Sequence, residues 1–209
     1  MTAAAHALPE QPTPLGGRPK LQVVGPAPAV DLVRAERAVA DLLAALGQNP
    51  TAGELADTPR RVAASYAELL TPAPFTATTF PNDAGYDELV LAKAIPFASL
   101  CQHHLLPFTG VAHVGYLPGS RIAGLSKLAR VVELFSRRPQ VQERLTQQIA
   151  DWVDVNLAPK GVGVVIEAEH ACMTLRGVQV SGTTTSTSAL RGVLRENAAS
   201  RAEFLATVR

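Results

Sequence analysis

The chain has 209 residues, of which 19 are basic and 18 acidic, and its formal charge is +1. A hydrophobic content of 47% is typical of a folded protein and excludes a wholly disordered chain. The near-neutral charge gives no reason to expect bulk electrostatic binding to nucleic acid or to an acidic membrane. No apolar run reaches the roughly 18 residues of a transmembrane helix. We therefore expect a globular protein with no nucleic-acid or membrane partner.

The N-terminal region differs in composition from the rest of the chain. Residues 1–29 are rich in proline and alanine, and they lack the basic start and apolar stretch of a secretory signal. We predict a flexible tail over 1–29 and one ordered domain over 30–209. Within the domain, N-terminal helices are expected over 30–75, followed by a mixed helix and strand region over 88–209.

Two helices are predicted first. Apolar residues recur at helical spacing between Asp31, a predicted N-cap, and Gly47, which is expected to end the helix. Thr58 followed by Pro59 predicts the cap and first turn of a second helix. The proline-containing segment 71–86 is predicted to be a loop.

A strand pair and a helix pair are expected next. Residues 88–98 and 108–117 are rich in apolar and β-forming side chains and are predicted to be strands. Ser126 is predicted to cap a third helix, and a fourth helix is expected after Pro139.

A second strand pair and a final helix complete the chain. Strands are predicted at 162–169 and at roughly 174–190, and Asn197 is expected to open the last helix. Strand pairs separated by a helix pair favour an α+β fold with antiparallel hairpins over alternating βαβ units.

Two short segments contain most of the residues suited to metal chemistry. Cys101 and His104 form a Cys-x-x-His pair, and Cys172 follows closely after His170. Two thiolates and one imidazole suit zinc, and three protein ligands leave a fourth position for water, as in catalytic sites. Bound zinc lowers the pKa of that water to about 7. The remaining histidines, His103 and His170, are then candidates for moving protons.

Other interpretations of these residues stay open at this point. The cysteines could be buried without a chemical role, or they could form a disulfide in an oxidising compartment. A fourth protein ligand would make the zinc site structural. His113 lies within an alternating strand and is predicted to be structural.

A second group of candidate residues is cationic. Lys127 and Arg130 share one helical face, and Ser126 lies at the helix N-terminus, where free N–H groups attract anions. Arg176 follows Cys172 closely and is expected near the metal. These residues are candidates for binding a polyphosphate, although the helical segment could equally be a solvated basic face. The chain has no Walker-type glycine loop.

The segment Gln142-Glu143-Arg144 has two interpretations. It could be an ordinary helix surface, whereas a buried glutamate would suit recognition of the N–H edge of guanine.

The chain resembles GTP cyclohydrolase I over residues 31–209. The resemblance is carried by several long motifs in the same order, at 101–104, 124–130, 138–146, 169–172 and 176–177. It implies the tunnelling fold, in which antiparallel strand hairpins from successive subunits form an oligomeric β-barrel. It also implies a homodecamer of two stacked pentamers, with 88–209 as the catalytic part.

The resemblance assigns roles to individual residues. It implies Zn²⁺ as the cofactor, with the ligands Cys101, His104 and Cys172. It implies three catalytic residues, His103, His170 and Gln142. It implies five contacts to GTP, which are Glu143 to the guanine and Ser126, Lys127, Arg130 and Arg176 to the triphosphate.

The implied reaction converts GTP and water into 7,8-dihydroneopterin triphosphate and formate, the first step of folate and pterin biosynthesis. Cysteine ligands must stay reduced, so a cytoplasmic location is expected. One position departs from the family's motif, since Gln102 stands where glutamate is expected. Loss of that carboxylate leaves a non-catalytic or specialised-pathway paralogue as the alternative.

Overall fold

The computed structural model describes residues 29–208, so the predicted tail lies almost entirely outside the described residues. The described helices are α1 (Leu32–Ala45), α2 (Thr58–Leu70), α3 (Leu125–Ser136), α4 (Gln142–Leu157), α5 (Ala171–Thr174), α6 (Val193–Glu196) and α7 (Ala198–Val208). The described strands are β1 (Thr79–Pro81), β2 (Val90–Cys101), β3 (Pro107–Leu117), β4 (Arg121–Ala123), β5 (Pro139–Gln140), β6 (Gly161–His170) and β7 (Thr184–Gly192).

The long elements follow the order predicted from the sequence. The first helix begins as expected, because the Asp31 side chain accepts a hydrogen bond of 2.9 Å from the Arg34 N–H. Gly47 follows this helix with a φ of 78°, a left-handed conformation that glycine adopts without steric cost.

Several predicted boundaries were wrong. The N-cap of α2 is Asp57 rather than Thr58. The N-cap of α3 is Gly124, in extended conformation, so Ser126 lies inside the first turn. The predicted loop 71–86 contains the short strand β1, and the predicted strand 174–190 begins only with β7 because α5 and a turn precede it.

The main sheet has five strands in the order β5-β2-β3-β6-β7, and β1 pairs with β4 in a separate two-stranded sheet. The pairs β2–β3, β3–β6 and β6–β7 are antiparallel, whereas the two-residue strand β5 runs parallel to β2. This arrangement confirms the predicted α+β class with antiparallel hairpins.

Helices cover both faces of this sheet. Buried side chains of α3 and α4, including Leu128 and Ile149, form one apolar cluster with Val164 of β6. The next residue of the strand, Val165, belongs to a second cluster with Phe204 of α7. Successive residues of a strand point to opposite faces, so α7 packs on the face away from α3 and α4.

The register of β3 against β6 determines where the candidate site forms. Phe108 near the start of β3 lies opposite His170, the last residue of β6. The turn between β2 and β3 and the helix α5 therefore meet at the same end of the sheet.

A glycine in β3 permits an unusually close approach of the two backbones. A Cβ atom at Gly110 would lie 1.9 Å from the Glu167 carbonyl oxygen and 2.7 Å from the Ala168 Cα atom. These are backbone atoms of the paired strand. An added Cβ atom at Gly110 could therefore be accommodated only if β6 moves.

We predict that Gly110→Ala lowers the free energy of unfolding by about 2 kcal/mol or more, as overpacking against backbone does. Urea unfolding followed by fluorescence of the single tryptophan, Trp152, measures this at a fixed protomer concentration. Gly53→Ala is the matched control, because a Cβ atom at Gly53 meets nothing within 4 Å. Equal midpoints for both variants would contradict the prediction.

Candidate metal centre and active site

Three side chains that can bind a metal converge at the end of the sheet. Cys101 ends β2, His104 lies in the following turn, and Cys172 lies in α5. The ligand atoms of all three lie within 4.8 Å of one another, and Cys101 Sγ is 3.7 Å from His104 Nδ1. Two thiols and one imidazole at this spacing fit a zinc ion.

The backbone of the turn holds the first two of these residues in place. The Cys101 N–H donates to the Leu106 carbonyl at 2.8 Å, and the Leu105 N–H donates to the Cys101 carbonyl at 2.8 Å. Leu105 adopts a φ of 54°, which closes the turn tightly. Its carbonyl accepts a hydrogen bond of 3.1 Å from the Tyr66 hydroxyl of α2. Helix α2 therefore helps to fix the turn that contains His104.

The two cysteines are free thiols, so the disulfide that the sequence left open is not formed. Burial raises the pKa of the Cys172 thiol, and the neighbouring Cys101 raises it further. Two adjacent thiols resist joint ionisation unless a cation lies between them. Such a pair suits a divalent metal, which binds thiolates and displaces their protons.

His170 lies beside this cluster in a defined orientation. Its ring stacks on Phe108 with centroids 4.6 Å apart and planes 4° from parallel. Its Nε2 atom lies 2.8 Å from Gln142 Oε1. Burial lowers the pKa of His170, an effect that the charge of Glu143 partly offsets, so the neutral imidazole is favoured.

The orientation of the Gln142 amide follows from its other partners. Gln142 is buried, and its Nε2 atom donates to the Ile166 carbonyl at 3.1 Å and to the Thr185 carbonyl at 2.8 Å. The amide oxygen therefore faces His170 and accepts a hydrogen bond from its Nε2–H. This leaves Nδ1 as the unprotonated nitrogen of the neutral ring.

The remaining residues near the cluster are accessible in the single chain. His103 is exposed, and its Nδ1 atom lies 3.8 Å from Cys101 Sγ. Arg176 Nη1 lies 3.3 Å from His104 Nε2, which confirms that this arginine is close to the predicted metal ligands. Glu143 is exposed rather than buried, so a single chain does not form the enclosed guanine pocket considered from the sequence.

The cationic residues of α3 lie elsewhere. Ser126 and Arg130 are exposed, Lys127 is half-buried, and Arg130 forms an ion pair of 3.2 Å with Glu133. Across residues 29–208, no hydrogen bond or ion pair joins these three residues to the metal-binding cluster or to Arg176.

The start of α3 is placed at the opposite end of the β2–β3 hairpin. The Ala123 N–H, just before α3, donates to the Tyr116 hydroxyl at 2.9 Å. Tyr116 pairs with Val90 at one end of the hairpin, whereas Pro107 pairs with Leu100 at the metal end. The strand between Pro107 and Tyr116 spans roughly 30 Å at about 3.4 Å per residue. The start of α3, which contains Ser126 and Lys127, therefore lies toward the far end of the hairpin. The helix then runs back along the hairpin, because the Ser136 carbonyl at its end accepts a hydrogen bond of 2.6 Å from Ser99 Oγ.

Two residues at this site were missed by the sequence reasoning. Phe108 stacks on His170, and Tyr66 donates to the metal-binding turn. Phe108 had an indirect signal, since it opens the strand predicted at 108–117, directly after that turn. Tyr66 had none, because its contact depends on how α2 packs against β2.

A family model described as GTP cyclohydrolase I matches residues 35–209. The chain belongs to the GTP cyclohydrolase I family. This confirms the resemblance found from the motifs, and with the observed antiparallel hairpins it confirms the tunnelling fold at the level of the single chain.

Curated relatives from mycobacteria have the same family name. GTP cyclohydrolase 1 of Mycobacteroides abscessus is 56% identical over 180 residues, which is 84% of this chain and 88% of the relative. GTP cyclohydrolase 1 of Mycobacterium avium is 55% identical over 180 residues, with the same two shares of 84% and 88%. GTP cyclohydrolase 1 of Mycobacterium ulcerans is 54% identical over 184 residues, which is 85% of this chain and 90% of the relative.

Among solved structures, the chain is similar to an archaeosine synthase QueF-Like in its apo form, with a TM-score of 0.42 and 18% identity. The match covers 50% of this chain and 93% of that chain, and it is too weak to support an argument. Within residues 29–208, no helix has both the length and the apolar character needed to cross a bilayer.

Proposed function

We propose that this protein is a zinc-dependent GTP cyclohydrolase I that converts GTP and water into 7,8-dihydroneopterin triphosphate and formate. The observation that carries the proposal is the convergence of Cys101, His104 and Cys172 beside His170, in a chain that belongs to this family. The reaction would be the first step of folate and pterin biosynthesis.

The cluster would hold the zinc ion through two sulfur atoms and one ring nitrogen. When bound, zinc supplies a Lewis acid and an activated water at neutral pH. The protein's own contribution is to present proton-carrying groups beside that position. His170 is restrained by Phe108 on one ring face and by Gln142 at Nε2. Its Nδ1 atom is then the one that exchanges a proton with the purine, and its lowered pKa keeps the ring neutral before the reaction.

Gln142 acts in this scheme by orienting His170, because its amide nitrogen already donates hydrogen bonds to the Ile166 and Thr185 carbonyls. Glu143 follows at the exposed first turn of α4 and is suited to accept hydrogen bonds from guanine N–H groups. Arg176 is suited to neutralise phosphate charge close to the metal. These contacts would fix the purine relative to the metal, which is a positioning effect.

The distance between the cluster and α3 supports a site shared between subunits. The start of α3 lies toward the opposite end of the hairpin, and across residues 29–208 no hydrogen bond or ion pair joins Ser126, Lys127 or Arg130 to the cluster. We infer that Ser126, Lys127 and Arg130 contact triphosphate bound at the cluster of a neighbouring subunit. In the single chain β7 is an edge strand, whose free backbone groups can pair with a neighbour to close a barrel.

The inferred assembly is a homodecamer of two stacked pentamers. We also propose a cytoplasmic location, because both thiols must stay reduced to bind metal. No nucleic-acid or membrane partner is part of this proposal.

The direct test of the reaction is release of formate from GTP by purified, zinc-loaded protein. We expect formate and a pterin that becomes fluorescent after oxidation and dephosphorylation, in equal amounts. Chelation of zinc should abolish both products, and added zinc should restore them. Protein that binds GTP and zinc but releases no formate would refute the proposal and favour the non-catalytic or specialised paralogue.

The shared site predicts complementation between two inactive variants. Cys172→Ser disables the cluster, and the double variant Lys127→Ala/Arg130→Ala disables the α3 cations. In mixed assemblies, some sites combine the intact cluster of the Lys127→Ala/Arg130→Ala chain with the intact α3 cations of the Cys172→Ser chain. Random assortment of equal amounts would restore about one quarter of the sites.

Co-expression with two affinity tags isolates the mixed assemblies, and formate release measures their activity. A mixture of Cys172→Ser with His104→Ala is the matched control, because both changes disable the same half of the site. It should stay inactive. Failure of the first mixture to gain activity over its parents would contradict a site shared in this way.

A further inference from the structure

We propose that Arg144 and Gln102 form a positioning pair that keeps the Nε2 atom of His103 unprotonated. The catalytic meaning of this pair rests on the proposed function. The hydrogen bonds that define the pair do not depend on the proposed function. Their directions follow from which groups can donate and which can accept.

The series of hydrogen bonds starts at a buried amide. Gln140 is fully buried, and its Nε2 atom donates to the Phe135 carbonyl and to Gln148 Oε1, both at 2.8 Å. Its oxygen therefore faces Arg144, whose Nε atom donates to it at 2.8 Å. Arg144 Nη2 also donates to the Pro139 carbonyl at 3.1 Å. Two separate anchors thus fix the plane of the guanidinium group.

The fixed guanidinium group then orients Gln102. Arg144 Nη2 lies 2.7 Å from Gln102 Oε1, and a guanidinium group can only donate. The oxygen of the Gln102 amide is therefore the atom that faces Arg144, and its nitrogen faces His103. The distance from Gln102 Nε2 to His103 Nε2 is 3.4 Å.

The Gln102 amide nitrogen determines whether the His103 Nε2 atom opposite it has a proton. An amide NH₂ group donates and does not accept, so His103 Nε2 must accept and has no proton. The proton of the neutral ring is then on Nδ1, which lies 3.8 Å from Cys101 Sγ. An N–H group directed at a sulfur atom is a favourable arrangement. The contacts at Nδ1 and at Nε2 therefore favour the same tautomer, in which the proton is on Nδ1.

The two histidines are thereby held in opposite states at Nε2. Gln142 accepts a hydrogen bond from His170 Nε2–H, whereas Gln102 donates one to His103 Nε2. His103 Nε2 is thus a hydrogen-bond acceptor, whereas His170 Nε2 is a donor. A carboxylate at position 102 would accept from both Arg144 and His103, and it would require the other tautomer.

Magic-angle-spinning NMR of sedimented, zinc-loaded protein labelled with ¹⁵N,¹³C-histidine tests the tautomer directly. The ring shifts distinguish a protonated from an unprotonated Nε2 atom, and a His103→Asn variant assigns the signal. We expect the Nδ1–H tautomer in the wild type and the Nε2–H tautomer in Gln102→Glu. Arg144→Met should leave a mixture of the two, because the amide is then free to rotate.

Arg137→Met is the matched control for loss of an arginine. Arg137 Nη1 donates to the Glu68 carbonyl at 2.9 Å and has no hydrogen bond to Gln102 within the described chain. This variant should keep the wild-type His103 spectrum.

Kinetics separate a positioning role from a structural one. Gln102→Leu should lower kcat about 10-fold and leave KM for GTP and zinc content unchanged, as loss of a supporting contact does. Arg144→Met should lower kcat by a similar factor. The double variant should be no worse than either single variant, because Arg144 acts through Gln102.

Three results would overturn the proposal. They are a wild-type His103 with a protonated Nε2 atom, an unchanged His103 spectrum in Gln102→Glu, and fully additive losses in the double variant. The NMR result does not depend on formate release, so it stands whether or not the proposed reaction is correct.

Discussion

The pairing of β3 with β6 is the constraint on which the candidate site depends. It places Phe108 opposite His170, and so brings the turn after β2 next to α5. A slip of one residue would turn His170 to the other face of the sheet and move Cys172 away from Cys101. Burial of both faces opposes such a slip, as does the close backbone approach at Gly110.

The sequence predicted those features whose signals are local. Cys101 and His104 lie on a single turn, and the long helices follow their apolar spacing. Features that depend on non-local packing were not predictable. Strand β1 forms by pairing with β4 across a proline-containing segment, which gives no periodic signal. Ser126 has the residue type of an N-cap, but Gly124, in extended conformation, is the residue that caps the helix.

The position of the phosphate-binding candidates was also not predictable from the sequence, because it depends on non-local packing. Spacing along the chain placed Lys127 and Arg130 on one helical face, and the helix forms as expected. Where they lie relative to the cluster depends on the β2–β3 hairpin, because the residue before α3 donates to Tyr116 at the end opposite Cys101. Across residues 29–208, no hydrogen bond or ion pair joins these cations to the cluster, and Glu143 and His103 are exposed in the single chain.

X-ray absorption at the zinc K-edge of the loaded protein tests the central claim most directly, namely that this register builds a metal centre. We predict two sulfur ligands at about 2.3 Å and one imidazole nitrogen at about 2.0 Å. Cys172→Ser should lose one of the two sulfur ligands. A zinc ion with only nitrogen and oxygen ligands, or protein that binds no zinc, would contradict the account.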